Sequence, residues 1–153
     1  MGNDIRIQIS DDVVLVKAGG ISSGNSTVSA LFRTLAEDGV PVDFVSLVAE
    51  QNNPLTFAVS GREIAKVLKA AAQCRENSVL RFSVRGGYSK ITLSGSRLPS
   101  ETGMASACFR ALGIAGVEPA FASVSSSMLS ILVPTDALDR TLTCLEDIFH
   151  TTA

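Results

Sequence analysis

The chain has 153 residues with 13 Lys or Arg against 15 Asp or Glu, a formal net charge of −2, and 46% of its residues are hydrophobic. The sequence pI of about 5.3 and the lack of any Lys/Arg cluster exclude the basic footprint of a nucleic-acid-binding protein. No apolar run approaches the ~20 residues of a membrane span. The length suits one ordinary domain or two very small ones packed together. The high share of hydrophobic residues beside a small net charge favours oligomerisation.

The first half of the chain predicts strands and helices in the order β-α-β-β-α-β. Alternation over Ile5–Ile9 and a denser apolar run over Val13–Ala18 predict two strands, which Asp11-Asp12 separates. A Gly/Ser/Asn loop then leads to a helix over Thr27–Asp38, which Gly39 ends. The remaining elements are a strand over Val40–Glu50, a turn over Gln51–Pro54, a strand over Leu55–Val59, a helix over Arg62–Gln73 with Ile64, Val67, Leu68 and Ala71 inward, and a strand over Val79–Val84. This order is that of the ferredoxin-like split unit.

The second half repeats the order after a turn at Gly86-Gly87. Its elements are a strand around Ile91–Leu93, a loop over Gly95–Thr102, a helix over Met104–Ile114 closed by Gly116, a hairpin of Val117–Val124 with Met128–Val133, and a last helix from Asp136 to about His150 with Leu138, Leu142, Leu145 and Phe149 inward. We therefore predict an α+β fold of two small packed modules, each an antiparallel sheet with helices on one face.

An internal repeat supports the two-module prediction. The segment 29–46 reads SALFRTLAEDGVPVDFVS and the segment 106–123 reads SACFRALGIAGVEPAFAS, with nine of eighteen positions identical at an offset of 77 residues. One long repeat unit in two copies differs from a solenoid, which needs at least three copies. We therefore expect the function to depend on two similar small modules that act side by side.

Catalytic chemistry finds little support in the sequence. Cys74, Cys108 and Cys144 are odd in number and lack metal-ligand spacing, and MGNDIRIQISDD carries no apolar signal region. We expect reduced thiols in a cytoplasmic protein. His150 is the single histidine and is predicted to be a solvated helix-end residue. No metal, no cofactor and no catalytic residue is predicted, because no phosphate-binding or dinucleotide-binding motif occurs.

A candidate ligand site lies around the first helix. Free N–H groups at the start of that helix, over Asn25–Val28, suit a carboxylate, and Asp43 in the strand after the helix suits an ammonium group. Together they would recognise a free amino acid. A flexible turn capped by Ser26 and a surface Asp43 remain the alternative interpretation, and the second copy has Ala120 at the Asp43 position.

Several segments of the sequence, taken together, resemble those of a known family. The order of elements, the segment GSRLPSETGMASACFRAL, the doubled F-x-x-L…G-V junction and the final LEDIF helix are similar to the tandem ACT domains at the C-terminus of aspartokinases, over about residues 4–150. The kinase domain of that family is absent. The chain is similar to a regulatory fragment or to a separately translated regulatory subunit.

The resemblance implies a function, a site and a domain arrangement. Modules of this family bind feedback amino acids, usually lysine or threonine, and dimerise by forming continuous sheets. The implied ligand-binding residues are Ile21, Asn25, Ser26, Thr27, Val28, Val42 and Asp43. The implied modules are residues 10–85 and residues 4–9 plus 86–150, with one module inserted into the other, and the implied partners are a second copy and an aspartokinase catalytic subunit.

Three hypotheses follow. The first is a regulatory module that senses lysine or threonine and controls aspartate phosphorylation. The second is a ligand-free dimerisation module of a kinase, which Pro41 and Leu47 motivate because the family carries polar residues there. The third is a small enzyme on a ferredoxin-like fold, which the lack of a convergent acid–base set disfavours.

Overall fold

The computed structural model describes residues 5–19, 26–47, 55–75, 81–95, 98, 100–125 and 127–151, with the backbone alone for residues 26, 75, 101, 150 and 151. Within these ranges the strands are β1 (Arg6–Gly19), β2 (Asp43–Ser46), β3 (Leu55–Ser60), β4 (Arg81–Ser94), β5 (Phe121–Ser125) and β6 (Met128–Pro134). The helices are α1 (Ser26–Glu37), α2 (Ile64–Arg75), α3 (Glu101–Ala115) and α4 (Leu138–Thr151), and 3-10 turns at Gly61–Glu63 and Thr135–Ala137 lead into α2 and α4. No helix in the described ranges is long and apolar enough to cross a bilayer.

The chain divides into two units with the same elements in two different chain orders: β-α-β-β-α-β in the first and β-β-α-β-β-α in the second, where β1 comes before β4. The first unit is Asp12–Gly86, and the second combines Met1–Asp11 with Gly87–Ala153. In the first unit the strands lie in the order β2-β3-β1-β4, and in the second in the order β1-β4-β6-β5. β1 and β4 contribute residues to both units. The predicted antiparallel α+β class is confirmed, since every recorded register is antiparallel.

The core of the first unit lies between its sheet and helices α1 and α2. β1 pairs with β3 from Val13↔Ser60 to Ala18↔Leu55, so that alternate side chains of both strands face the helices. The fully buried side chains include Val16, Leu31, Leu35, Leu55 and Phe57. Phe32 packs on this core, and its ring meets that of Phe57 edge-on with the centroids 5.5 Å apart. Leu68, predicted to point inward, is exposed on α2, where Ala70 is buried instead.

The second unit has a core of the same kind between its sheet and helices α3 and α4. β4 pairs with β6 from Tyr88↔Pro134 to Ser94↔Met128, and Ile91, Leu93, Leu129 and Ile131 are buried against the helices. The predicted inward residues of α4 are confirmed: Leu145 and Phe149 are buried, and Leu138 and Leu142 pack on the same core while half-buried. Phe109, the repeat equivalent of Phe32, is exposed.

The helix-to-strand junction has the same geometry in both units. Gly39 and Gly116 both have φ +68°, a left-handed conformation that glycine adopts without cost. In the first unit Gly39 N–H donates to Ala36 O (3.0 Å) and Val40 N–H to Leu35 O (2.9 Å). In the second, Gly116 N–H donates to Gly113 O (3.2 Å) and Val117 N–H to Leu112 O (3.0 Å). These are the paired bonds of a Schellman C-cap, so the sequence correctly predicts both helix ends.

A cation from the second helix of each unit completes that junction. Lys66 Nζ donates to Asp38 O at 3.2 Å, and Arg140 Nε donates to Ala115 O at 3.2 Å. The two accepting residues are equivalent in the repeat. A cation near the C-terminus of a helix satisfies a carbonyl that has no partner within the helix and opposes the negative end of the dipole.

Two predicted interruptions are wrong, because the chain stays in a strand through both. Asp11-Asp12 lies inside β1, where Asp12 takes φ 54°, and Gly86-Gly87 lies inside β4, where Gly87 takes φ 85°. A residue with positive φ can bend a strand without ending its ladder. The predicted strand over residues 40–50 is observed only as β2, while residues 48–50 and the predicted turn over 51–54 lie outside the described ranges.

Asp12 contacts the start of the 3-10 turn in its unit directly, and Asp11 is linked to the start of the turn in its unit through Ser89. In the first unit the Asp12 carboxylate lies against Gly61, where a Cβ would have no room. In the second unit Asp11 Oδ1 accepts from Ser89 Oγ at 3.0 Å, and Ser89 Oγ lies 2.9 Å from Thr135 Oγ1. Ser89 is fully buried, and these bonds satisfy its hydroxyl inside the fold.

The repeat offers a matched test of core packing. We expect Phe32→Ala to lower the free energy of unfolding by about 2–4 kcal/mol, because it removes a packed ring and its edge-on contact with Phe57. Phe109→Ala, at the equivalent exposed position, should cost less than about 1 kcal/mol. Guanidinium unfolding of both variants measures the difference, and an equal loss would show that Phe109 is covered in solution.

The thiols differ in burial, so they should differ in reactivity. Burial raises the pKa of the Cys108 thiol from 9.0 to about 11, and Cys74 and Cys144 are only half-buried. In a Cys74→Ser/Cys144→Ser protein at pH 8, Cys108 should stay unreactive toward a disulfide reagent until denaturant is added, since the thiolate is the nucleophile. The neutral thiol contributes stability below pH 9, which is lost as the pH rises toward 11. Rapid labelling of the native protein at pH 8 would contradict this assignment.

Candidate functional site

The predicted anion-binding half of the site lies at the start of α1. α1 begins at Ser26, so Thr27 and Val28 lie in its first turn, where backbone N–H groups have no intrahelical acceptor. Both side chains are half-buried, and Val28 also packs on the first-unit core. Ile21, Asn25 and the Ser26 side chain lie outside the described residues, and the predicted cap by Asn25 or Ser26 lies there too.

Asp43 is the residue predicted to bind an ammonium group. It is exposed at the first position of β2, and its Oδ1 accepts a hydrogen bond from Phe44 N–H at 2.9 Å. Val42, beside it, is half-buried and packs on the first-unit core. An exposed carboxylate at the start of an outer strand can bind an ammonium group, while Val42 holds the strand to the core.

The strand register shows how Asp43 stands relative to the helix start. Asp43 pairs with Ala58, which pairs with Leu15, so two strand spacings, about 10 Å, separate Asp43 from β1. β2 runs in the same direction as β1, toward the end from which the chain continues to α1. Ser46, paired through Thr56 to Lys17, is therefore nearer that end than Asp43. The ladder thus places the two halves of the site on one unit but not at the same end of β2.

A β-bulge separates Asp43 from Ser46. Three residue steps on β2 correspond to only two on β3, from Ala58 to Thr56, and Phe44 has φ 54°. The extra residue turns the strand locally. Sequence reasoning missed this feature, because positive φ is expected at Gly or Asn rather than at Phe, and the segment PVDFVS contains neither.

The second copy has a regular ladder at the same place. β5 pairs with β6 without a shift from Phe121↔Leu132 to Ser125↔Met128. Ala120, which stands where Asp43 stands in the first copy, donates its N–H to Leu132 O at 2.8 Å. The start of α3 is capped within the chain, as Ser100 Oγ accepts from Gly103 N–H at 3.4 Å. The two copies therefore differ in backbone conformation as well as in residue type.

Burial raises the pKa of Cys108 and of Cys74, which makes both thiols poorer nucleophiles. Among the described residues, no group of three or more His, Cys, Asp or Glu side chains is placed to hold a metal ion. The side chain of His150 lies outside the description.

Comparison with curated proteins finds relatives along nearly the whole chain, although no family model matches. Aspartokinase of Bacillus sp. (strain MGA3) is 21% identical over 151 residues, and aspartokinase 2 of Bacillus subtilis (strain 168) is 23% identical over 146 residues. Each alignment covers 94% of this chain and 36% of the relative. The chain thus spans about a third of the length of the curated relatives it matches.

Comparison with solved structures finds the same fold in regulatory proteins. The ligand-free regulatory subunit of aspartate kinase from Thermus thermophilus matches with a TM-score of 0.83 and 18% identity, over 96% of this chain and 99% of that subunit. A structure of aspartokinase alpha and beta subunits matches with a TM-score of 0.82, 16% identity and coverage of 95% and 93%. Aspartokinase III of E. coli with lysine and aspartate gives 0.66 at 17% identity, over 94% of this chain and 32% of that one.

These comparisons confirm the resemblance predicted from the sequence. The curated relatives cover nearly the whole chain, and the matching structures include regulatory subunits that the chain covers almost completely. Over nearly its whole length the chain is therefore similar to about a third of the length of aspartokinases, and it has the fold of solved regulatory subunits of aspartate kinase.

Proposed function

We propose that this chain is an amino-acid-sensing regulatory module of an aspartate kinase. Its ligand would be lysine or threonine, and ligand binding would control aspartate phosphorylation. The units Asp12–Gly86 and Met1–Asp11 with Gly87–Ala153 would be two ACT modules. The observation that carries the proposal is the match to a regulatory subunit over 99% of that subunit's length. A further support is that aspartokinase III of E. coli, with the same fold, was solved in complex with lysine and aspartate.

The first copy has groups suited to both charges of an amino acid. The N–H groups at the start of α1 and the dipole of this 12-residue helix favour a carboxylate, and the exposed Asp43 carboxylate favours an ammonium group. In the second copy Ala120 offers no charge. The proposed site therefore lies in the first copy, with Thr27, Val28, Val42 and Asp43 as its described residues and Ile21, Asn25 and Ser26 completing the set.

The register favours a site completed by a second copy. Asp43 lies at the end of outer strand β2 that is farther from its own helix start. Two copies that pair their β2 strands about a two-fold axis perpendicular to those strands would run them in opposite directions, so the start of one β2 would face the end of the other. That arrangement brings Asp43 of one copy toward the helix start of its partner. A ligand in this position would bind the two copies together.

Such a ligand would act by shifting a population. It can favour one arrangement of the paired copies only through its difference in affinity for the two arrangements. A coupling of roughly 1–3 kcal/mol between the ligand and a catalytic subunit is sufficient for feedback control.

Calorimetric titration tests the proposed function directly. We expect lysine or threonine to release or absorb heat and to raise the melting temperature, since a ligand at 100 times its Kd adds about 2.7 kcal/mol to the stability of the folded state. Asp43→Asn should weaken binding at least about tenfold, because it removes the charge pair between the Asp43 carboxylate and the ammonium group of the ligand, which becomes buried when the ligand binds. The control Glu118→Gln removes an exposed carboxylate from the second copy and should bind as the unaltered chain does. Silence in both assays at millimolar ligand would refute the proposal.

A second candidate function is that of a pairing module without a ligand. The observation that favours it is the pair of exposed apolar side chains at the outer strand: Val45 in β2 is 55% exposed, and Leu47, directly after β2, is 50% exposed. An outer strand with apolar side chains is a template for pairing with another chain.

Sedimentation of edge variants tests the pairing surface. We expect Leu47→Lys to shift the chain toward monomer, because the added charge would be desolvated in a continuous sheet. Leu68→Lys is the matched control, since Leu68 is equally exposed, at 51%, but lies on α2. A dimer that persists unchanged in the Leu47 variant would place the pairing surface elsewhere. A dimer without any amino-acid response would support the second candidate over the first.

A further inference from the structure

The first copy holds Phe44 in a conformation that its repeat equivalent does not adopt. Among the described non-glycine residues, positive φ occurs at Asp12 and Phe44, so Phe121 at the equivalent position has ordinary strand geometry. For an L-residue with a side chain the left-handed region is sterically unfavourable. Such a residue persists only where the surroundings impose it, and these positions cluster at ligand-binding sites.

The backbone of Phe44 contacts the carboxylate of the preceding residue, Asp43. The Phe44 N–H donates to Asp43 Oδ1 at 2.9 Å, and the φ of 54° at Phe44 sets the direction in which Asp43 and this peptide face relative to the rest of β2. Phe44 is half-buried, which anchors the conformation. In the second copy the equivalent segment continues in register with β6.

We propose that Phe44 is a positioning residue. Its left-handed backbone turns Asp43 relative to the rest of β2 so that the carboxylate faces the ammonium group of the ligand, and this conformation confines binding to the first copy. An aspartate alone at the equivalent position would not make a site. This inference rests on the proposed function, and it adds that backbone conformation as well as residue type decides where the amino acid binds.

The conformation itself is tested by paired substitutions at the two equivalent positions. At Phe44 the Gly variant should melt about 2–4 °C above the Ala variant, because Gly adopts positive φ at no steric cost. At Phe121 the order should reverse, since Gly in an ordinary strand is less stable than Ala. The same order at both positions would overturn the assignment of a special backbone to Phe44.

The positioning role is tested by titration with L-lysine and L-threonine. Phe44→Gly and Phe44→Val both remove the ring, but Val is strongly disfavoured at positive φ and Gly is not. Phe44→Val should bind at least tenfold more weakly than Phe44→Gly. Equal affinity of the two variants, in a chain whose unaltered form binds, would overturn the positioning role and leave the proposed function intact.

The confinement to one copy is tested by Ala120→Asp. We expect this variant to bind the same number of ligands per chain as the unaltered protein, because the ladder of β5 lacks the bulge. A second bound ligand would show that the aspartate alone makes a site and would overturn the inference. If the unaltered chain binds neither amino acid, the proposed function fails and the inference fails with it.

Discussion

The junction where the first helix of each unit ends is the constraint on which the rest depends. A left-handed glycine, Gly39 or Gly116, reverses the chain, two backbone bonds close the last turn, and a cation from the next helix binds the end of α1 or α3. The junction sets the direction in which the following strand leaves the helix. Because glycine is the residue that takes this conformation freely, the repeat keeps it in both copies. The cation comes from Lys66 in one unit and Arg140 in the other, so the contact is kept although the residue type is not.

Differences between the copies begin directly after this shared junction. In the first copy the strand enters the sheet through Pro41 and a bulge at Phe44, and Asp43 is exposed at its start. In the second copy Ala120 already donates to the neighbouring strand and the ladder is regular. The same helix end therefore leads to an irregular outer strand that presents a carboxylate and to a regular one that presents none. The two copies therefore differ in their outer strands while they share the helix end.

The proposed regulatory role follows from where these features lie. β2 is the outer strand of its unit, so its backbone and its apolar Val45 and Leu47 can meet a second copy. The helix start and Asp43 stand apart along that strand, and a two-fold pairing would bring them together across the pair. Ligand binding and the pairing of two copies would then use the same edge of the sheet. A ligand that bridges two copies would favour the paired arrangement only through its higher affinity for that arrangement. The match to regulatory subunits of aspartate kinase supports this role.

The sequence by itself determined the repeat, the class of fold, both glycine-ended helices, the inward face of α4 and the relationship to aspartokinase regulatory regions. These features depend on periodicity and on residues that act within one helical turn. Only the tertiary structure decided that β1 and β4 continue through Asp12 and Gly87, that Leu68 is exposed, that β2 is short and bulged, and that Asp43 lies away from the helix start. The physical reason is that strand register and the φ of a single residue are imposed by neighbouring strands, which are distant in sequence and leave no local pattern.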